Sequence, residues 1–362
     1  MERVKHKKRR KWWLRFFAIF MSICLLVSGY FFYQVWGAMN QSFDPLNRDK
    51  SDKRDSAVSM DEPFSVLILG TDVKDESKPW RSDVIMVATI NPHEKSMKML
   101  SIPRDTYAEI ANSNGVKTKI NAAPVYGQQS GVGPVTNTVY TVENFLNIPI
   151  DYYVKVNFTG FMEVVDALGG VEVNIPFTFT TRNFGEYLTY QEGPAHLDGR
   201  QALGYVRMRK QDPRGDSGRN DRQREVLQSL MEQALSVKSI SKVDDILRSV
   251  GNNVTHDFEI NQFMALQSIY SEAKNQSESV TMEGFDDKNN PRGIWFHYVS
   301  DEERLRVSNL LREHLELDLE TLDGNPYNPE QDPANQEGTP SEQPGQAPGT
   351  DGSHQEPPST DH

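Results

Sequence analysis

The chain has one cysteine in 362 residues, Cys24. An intrachain disulfide is therefore excluded, as is a zinc or iron–sulfur site built on paired thiolates. Histidine is also sparse: His93, His196, His256, His297 and His314 are scattered, with none of the spacing of a metal-ligand set. There is no Gly-x-Ser-x-Gly elbow, no phosphate-binding loop ending in Gly-Lys-Ser/Thr and no His-Glu-x-x-His. Their absence removes the α/β-hydrolases, the Walker-type nucleotidases and the zincin proteases. Excess positive charge is missing as well; at a net charge of −12 the chain is unsuited to non-specific nucleic-acid binding. Two short matches carry nothing. Gly215-Asp-Ser-Gly218 has the form of the segment around the serine of chymotrypsin-like proteases, without an upstream Ala-His-Cys or an all-β pattern. Arg214-Gly-Asp216 has the form of the cell-adhesion tripeptide, too short to be informative.

What is present is strongly segregated. Residues 1–15 hold eight Lys/Arg and one Glu, a basic tail of +7. From Phe16 to Met39 no charge occurs, and the run is rich in Phe, Ile, Leu and Val, with Trp12 and Trp13 before it and Tyr33 and Trp36 near its end. About 20 apolar residues span a bilayer as a helix, aromatic residues favour its interfaces, and basic flanks stay in the cytoplasm. Residues 16–39 are therefore expected to be a transmembrane signal-anchor helix, single-pass and type II, with everything after about residue 40 outside the cell. The exit Tyr33-Gln-Val-Trp-Gly-Ala-Met lacks a small-x-small cleavage site, and Ile23 stands where a lipoprotein signal needs a small residue. An outward-facing domain without disulfides fits a Gram-positive cell surface.

Residues 40–62 are polar, have no sustained apolar period and read as a stalk. At the other end, residues 318–362 read as a disordered acidic tail; from Gly324 onward it holds eight of the chain's twenty prolines and seven acids without a Lys or Arg. Between them, 63–317 alternates strand and helix signals. Strands are expected at 64–70, 83–90, 97–102, 152–156, 171–175, 278–283 and 294–299. Helices are expected at 135–146, 158–168, about 220–236, 242–250 and 261–274, and from Ser300, where Ser300-Asp-Glu-Glu303 fits a capping box. The pattern is that of one α/β domain, its helices covering a central sheet. Strand order is not readable.

Two constellations carry chemistry. In the first, Gly70-Thr-Asp72 follows a buried strand, Arg81-Ser-Asp83 opens the next, and Ser-Ile-Pro-Arg104-Asp follows the third. Charged groups at neighbouring strand ends can converge on one rim, and two carboxylates brought together there need a cation between them. Hard oxygen ligands without His or Cys favour Mg²⁺ or Mn²⁺, which also bind phosphate oxygens. Composition alone equally allows ordinary loop acids capping turns. In the second, residues 200–224 hold eight Lys/Arg against three Asp in an otherwise acidic body, the inversion a polyanionic ligand requires. Arg219 falls near the start of a helix expected from about Asp221, itself an anion-binding feature. A solvated helix face laced with ion pairs is the alternative, opposed by the apolar Ala202-Leu203 and Tyr205-Val206 that precede Arg207 and Arg209.

These segments resemble the LytR-CpsA-Psr family of cell-wall enzymes. The resemblance rests on the basic tail with one span, Gly70-Thr-Asp72 with Arg81-Ser-Asp83, Ser-Ile-Pro-Arg104-Asp, Lys119-Ile-Asn-Ala, Asp166-Ala-Leu-Gly-Gly-Val-Glu-Val-Asn-Ile-Pro176, and the long Arg207–Gln223 motif. They occur in the family's order over about residues 63–235. The resemblance implies a single extracellular domain with a central mixed β-sheet flanked by helices. It implies transfer of an anionic glycopolymer, wall teichoic acid or capsular polysaccharide, from undecaprenyl pyrophosphate to a peptidoglycan sugar hydroxyl. Asp72 and Asp83 would be the Mg²⁺ ligands. Arg81, Arg104, Arg207, Arg209, Arg219 and Gln223 would contact the pyrophosphate, with Lys119 a lesser candidate and Asp216 supporting the arginines. A hydrolase using water as acceptor at the same site, and a non-catalytic wall-binding protein, are the rival readings. A transcriptional regulator is excluded by a cytoplasmic part of about 15 residues, too short for a helix-turn-helix.

Overall fold

The short apolar runs of the sequence become the middle of a sheet, because only strands buried on both faces can be apolar without alternation. The computed structural model describes residues 42–73, 79–234, 253–273, 276–287 and 293–321. The expected basic tail, the 16–39 span, the helix at 242–250 and the acidic tail beyond residue 321 lie outside the described residues. Among the described residues no helix is long and apolar enough to cross a membrane.

In chain order the elements are β1 (Phe64–Thr71), β2 (Val84–Asn91), β3 (Ser96–Ser101), β4 (Tyr107–Glu109), β5 (Lys117–Lys119), α1 (Ala123–Ser130), α2 (Pro134–Leu146), β6 (Tyr152–Asn157) and α3 (Phe158–Leu168). Then come β7 (Val171–Ile175), β8 (Phe179–Asn183), β9 (Glu186–Tyr190), β10 (Gly193–Leu197), α4 (Gly199–Arg207), α5 (Asp216–Ala234), β11 (Val254–His256), α6 (Ile260–Ala273), β12 (Ser277–Val280), β13 (Phe285–Asp287), β14 (Phe296–Tyr298) and α7 (Asp301–His314).

Six strands form the central sheet in the order β11-β6-β1-β2-β3-β12. It is mixed: β1 pairs parallel with β6 and β3 with β12, while β1–β2, β2–β3 and β6–β11 are antiparallel. The carboxyl ends of β1, β3 and β6 and the amino end of β2 therefore share one rim, where α/β sheets place their ligands. One face of the sheet, with Leu67, Leu69, Ile85, Val87 and Leu100, packs on α2 (Val139, Val142, Phe145) and α7 (Val307, Leu311). The other face carries Phe64, Val66, Ile90, Met97 and Met99 against Tyr152, Phe258 and Tyr270 of α6. A separate core joins α3, β7, β10, α4 and α5 through Val165, Val171, Leu197, Leu203, Tyr205 and Val226.

Several expectations change. Residues 42–62 are not a free stalk. Leu46 is in the core, Phe43 bridges to His256, Arg48 pairs with Glu143 at 2.9 Å and Arg54 with Asp151 at 2.8 Å. Two of its charges, Arg48 and Arg54, are consumed in these part-buried pairs. The domain also runs past residue 317, since Glu320 accepts from Ser308 at 2.9 Å and pairs with the buried Arg304. The Ser300 capping box is half made: Ser300 accepts from the Glu303 N–H at 3.2 Å, but the Glu303 carboxylate is taken by Arg306 and the Glu283 N–H. A complete box caps α4 instead, with Asp198 accepting from the Gln201 N–H at 2.8 Å and Gln201 returning the bond at 3.1 Å. The 220–236 helix starts earlier, at Asp216, and the expected strands 278–283 and 294–299 shrink to β12 and β14. His314 is structural, bonded between Thr89 and Ser96 at 2.7 and 2.8 Å.

Candidate active site

The rim gathers the first constellation. The Asp83 N–H donates to the Gly70 carbonyl at 2.7 Å, tying the end of β1 to the start of β2 and holding Asp72 and Asp83 on the same edge. Gly70 is required for this closeness, since a Cβ there would sit 2.9 Å from the Val84 Cβ. Arg104, beyond β3, reaches back to Asp83 with Nη1 at 2.5 Å, and its Nε lies 3.8 Å from Asp105. Lys119, ending β5, pairs with Asp105 at 2.7 Å. The backbone of Asn121 fastens this array: its N–H donates to the Arg104 carbonyl (3.2 Å) and its carbonyl accepts from the Ser82 N–H (3.3 Å).

The second constellation forms the opposite wall. Helix α4 ends at Arg207, whose guanidinium lies over the Phe158 ring at 4.6 Å and donates to Asn183 at 3.3 Å. Arg209 and Lys210 follow in the loop, and α5 brings Arg219 in its first turn and Gln223 one turn later on the same side. The buried Arg222 clasps these parts together. It donates to the carbonyls of Tyr205 and Met208 and forms an ion pair with Asp212. Burial opposes charge on Asp212, yet the Arg214 N–H and the Arg222 guanidinium hold its carboxyl below the usual range. A Cβ on Gly218 would collide with the Asp212 carboxylate. The last glycine of the protease-like Gly-Asp-Ser-Gly is thus a packing requirement of this clasp.

Two cavities meet at the rim. The first, of about 470 Å³, is lined by Asp72, Asp83 and Arg104 together with Arg182, Arg207, Arg209, Lys210 and Arg219, six cations against two carboxylates. Val206, Met208 and Phe158 give it an apolar patch. The second, of about 610 Å³, shares Asp72, Asp83 and Arg104 but adds Trp80, Arg81, Asp105, Lys119 and Asn121. Of the residues expected from the sequence, Arg104, Arg207, Arg209, Arg219 and Gln223 line the cationic cavity beside the two aspartates. Arg81 and Lys119 line the second cavity and not the first. Asp216 is the first residue of α5, and among the described side chains it is Asp212 that supports this segment's guanidiniums.

Sequence reasoning missed Arg182, Lys210, Asp105 and Asn121. Lys210, Asp105 and Asn121 lie inside the Arg207–Gln223, Ser-Ile-Pro-Arg104-Asp and Lys119-Ile-Asn-Ala motifs, where no role is expected of them. Arg182 sits on the β8–β9 hairpin, whose two β-prone runs about Phe184-Gly185 were a usable signal. The hairpin is held by the Phe179 ring stacked on Tyr190 at 4.7 Å and Tyr205 at 6.1 Å, and its outer end exposes Phe184 and Tyr187.

Among the described residues no group of three or more His, Cys, Asp or Glu side chains is placed to hold a metal. Asp72 and Asp83 offer two hard-oxygen donors beside a cationic cavity. That set fits Mg²⁺, which is commonly bound by one or two carboxylates and completes its shell with phosphate oxygens and water.

A family model described as the LytR_cpsA_psr family matches residues 29–313. The chain is 40% identical over 322 residues to the polyisoprenyl-teichoic acid–peptidoglycan teichoic acid transferase TagU of Oceanobacillus iheyensis, covering 87% of this chain and 98% of that protein. Among solved structures it is similar to TagV of B. subtilis, with a TM-score of 0.63 at 39% identity over 71% of this chain and 99% of the other. It is also similar to TagT bound to LI-WTA, with a TM-score of 0.62 at 31% identity over 76% and 99% of the two chains.

Proposed function

Because the chain belongs to the LytR-CpsA-Psr family, we propose that it is a cell-surface phosphotransferase. It moves an anionic glycopolymer of the wall teichoic acid class from undecaprenyl pyrophosphate to a sugar hydroxyl of peptidoglycan. The observation that carries this reading is the first cavity, where six cations face two carboxylates on the rim of the sheet. A pyrophosphate diester is one of the few ligands dense enough in negative charge to match it. The uncharged run 16–39 behind a basic tail supports a membrane anchor that leaves the domain outside, beside a lipid-borne donor.

In the reaction, the acceptor oxygen forms a bond to the phosphorus that carries the polymer. The bond from that phosphorus to the bridging oxygen breaks, and its electron pair leaves with undecaprenyl phosphate. The hydroxyl proton passes to a carboxylate of the Asp72/Asp83 pair. Arg207, Arg209 and Arg219 grip the non-bridging oxygens and stabilise charge as it moves onto the leaving phosphate. Arg104 holds Asp83 in position between the two cavities. Mg²⁺ or Mn²⁺ bound at Asp72 and Asp83 would supply Lewis-acid neutralisation of the pyrophosphate.

The test incubates the full-length protein with a lipid-pyrophosphate-linked sugar and peptidoglycan oligomers, with and without Mg²⁺. Covalent polymer–peptidoglycan product, lost with EDTA and restored by Mg²⁺, is expected. Lipid phosphate release without product would make the protein a hydrolase, and neither outcome would make it a binding protein.

A further inference from the structure

A transferase must bring two substrates to one point, and two cavities converge on Asp72, Asp83 and Arg104. Their electrostatics differ. The first has three cations for every carboxylate. The second balances Arg81, Arg104 and Lys119 against Asp72, Asp83 and Asp105. Much of that charge is already paired internally, Lys119 with Asp105 at 2.7 Å and Arg104 with Asp83 at 2.5 Å. A ligand entering it meets dipoles and an apolar wall of Pro79, Trp80 and Val125 rather than a net field.

Asn121 adds a second, independent mark. It lines this cavity, is 6% exposed, and its side-chain oxygen has no hydrogen-bond partner among the described residues. Buried acceptors without partners are rare in folded proteins and need one from a ligand or water. The fold does not depend on that oxygen, because Asn121 fastens the rim through its backbone N–H and carbonyl. An unpartnered acceptor on a residue whose backbone is fixed, beside an apolar wall and without net charge, suits a neutral sugar that offers O–H and amide N–H donors.

Building on the transferase reading, we propose that the second cavity is the acceptor subsite. It takes a neutral N-acetylated hexosamine unit of the glycan strand, with Asn121 accepting a hydrogen bond from the sugar. Its free hydroxyl then points at the shared Asp72/Asp83 edge, from the side opposite the leaving lipid phosphate. The bonds made and broken are those already given; Asn121 positions the nucleophile and takes no proton. Arg81 and Lys119 then belong to the acceptor's side of the reaction rather than to the pyrophosphate.

The experiment measures binding, with product formation followed separately. Full-length protein in nanodiscs is titrated with peptide-free peptidoglycan oligomers and, separately, with undecaprenyl pyrophosphate. Asn121→Ala is expected to weaken oligomer binding about tenfold, the loss of one hydrogen bond, and to leave lipid binding within twofold. Arg209→Ala has the reverse selectivity. Unchanged oligomer affinity in Asn121→Ala, or equal weakening of both ligands, would overturn the assignment. A protein that binds oligomers through Asn121 yet forms no product would sink the transferase reading while leaving the cavity assignment intact.

Discussion

The clasp between Asp212 and Arg222 can be tested quantitatively. The two side chains are 0% and 2% exposed, so Asp212→Ala strands a guanidinium that cannot reach water. Removing one member of a buried ion pair costs about 3–5 kcal/mol. Arg222 keeps the Tyr205 and Met208 carbonyls as acceptors, which places the expected loss near the lower end, about 3 kcal/mol. For a domain of this size that lowers the melting temperature by roughly 6–12 °C. Because the clasp joins α4 to α5, the same change loosens the loop carrying Arg209 and Lys210 and should raise the donor KM. Thermal unfolding followed by intrinsic fluorescence, with Glu278→Ala as control, reads the first effect. The control breaks the exposed Lys98–Glu278 pair and should cost no more than about 0.5 kcal/mol. A drop below about 2 °C for Asp212→Ala, indistinguishable from the control, would refute the claim that the clasp is a desolvated, structure-bearing pair.

Asp83→Asn keeps the shape of the rim but removes one of the two carboxylates proposed to bind the metal and to accept the proton. Transfer should fall by at least about a hundredfold, with undecaprenyl pyrophosphate affinity within threefold; full activity would remove Asp83 from the chemistry. Asp257 gives a pH signature. Burial pushes its carboxyl up to about 7, against the hydrogen bond it accepts from the Tyr153 N–H at 2.7 Å. The folded state therefore keeps a proton that the unfolded chain loses near pH 4. The resulting stabilisation is complete below that pH and is lost as pH rises towards 7. Melting temperature should fall from pH 5 to pH 8, and Asp257→Asn should flatten that part of the profile.

What the sequence revealed followed the strength of the local signal. The runs at 64–70 and 83–90 needed no tertiary information, because strands buried on both faces are continuously apolar. Asp72, Asp83 and Arg104 could be placed at strand ends, but their meeting depended on strand order, which periodicity does not encode. The same limit hid the division of the cations: Arg81 stands two residues from Asp83, yet lines a different cavity from Arg207. Residues 42–62 misled because a part-buried Arg48–Glu143 pair and a solvated one look alike in composition. Gly218 invited a protease comparison that its contact with Asp212 explains physically.

The cationic cavity has walls of unequal stiffness. Its rim belongs to a six-stranded sheet, where every displacement strains a ladder of hydrogen bonds shared with neighbours. The wall bearing Thr180, Thr181 and Arg182 is a two-stranded ribbon, which on its own is barely stable and here leans on stacked rings and on hydrogen bonds to α4 and Gln211. Tilting it costs ring contacts and the Asn183–Arg207 hydrogen bond, and leaves Asp72 and Asp83 on the sheet rim in place. Substitutions in the ribbon alone can therefore change the bore of this cavity, and with it the girth of the ligand it admits, while the two carboxylates stay bolted to the sheet.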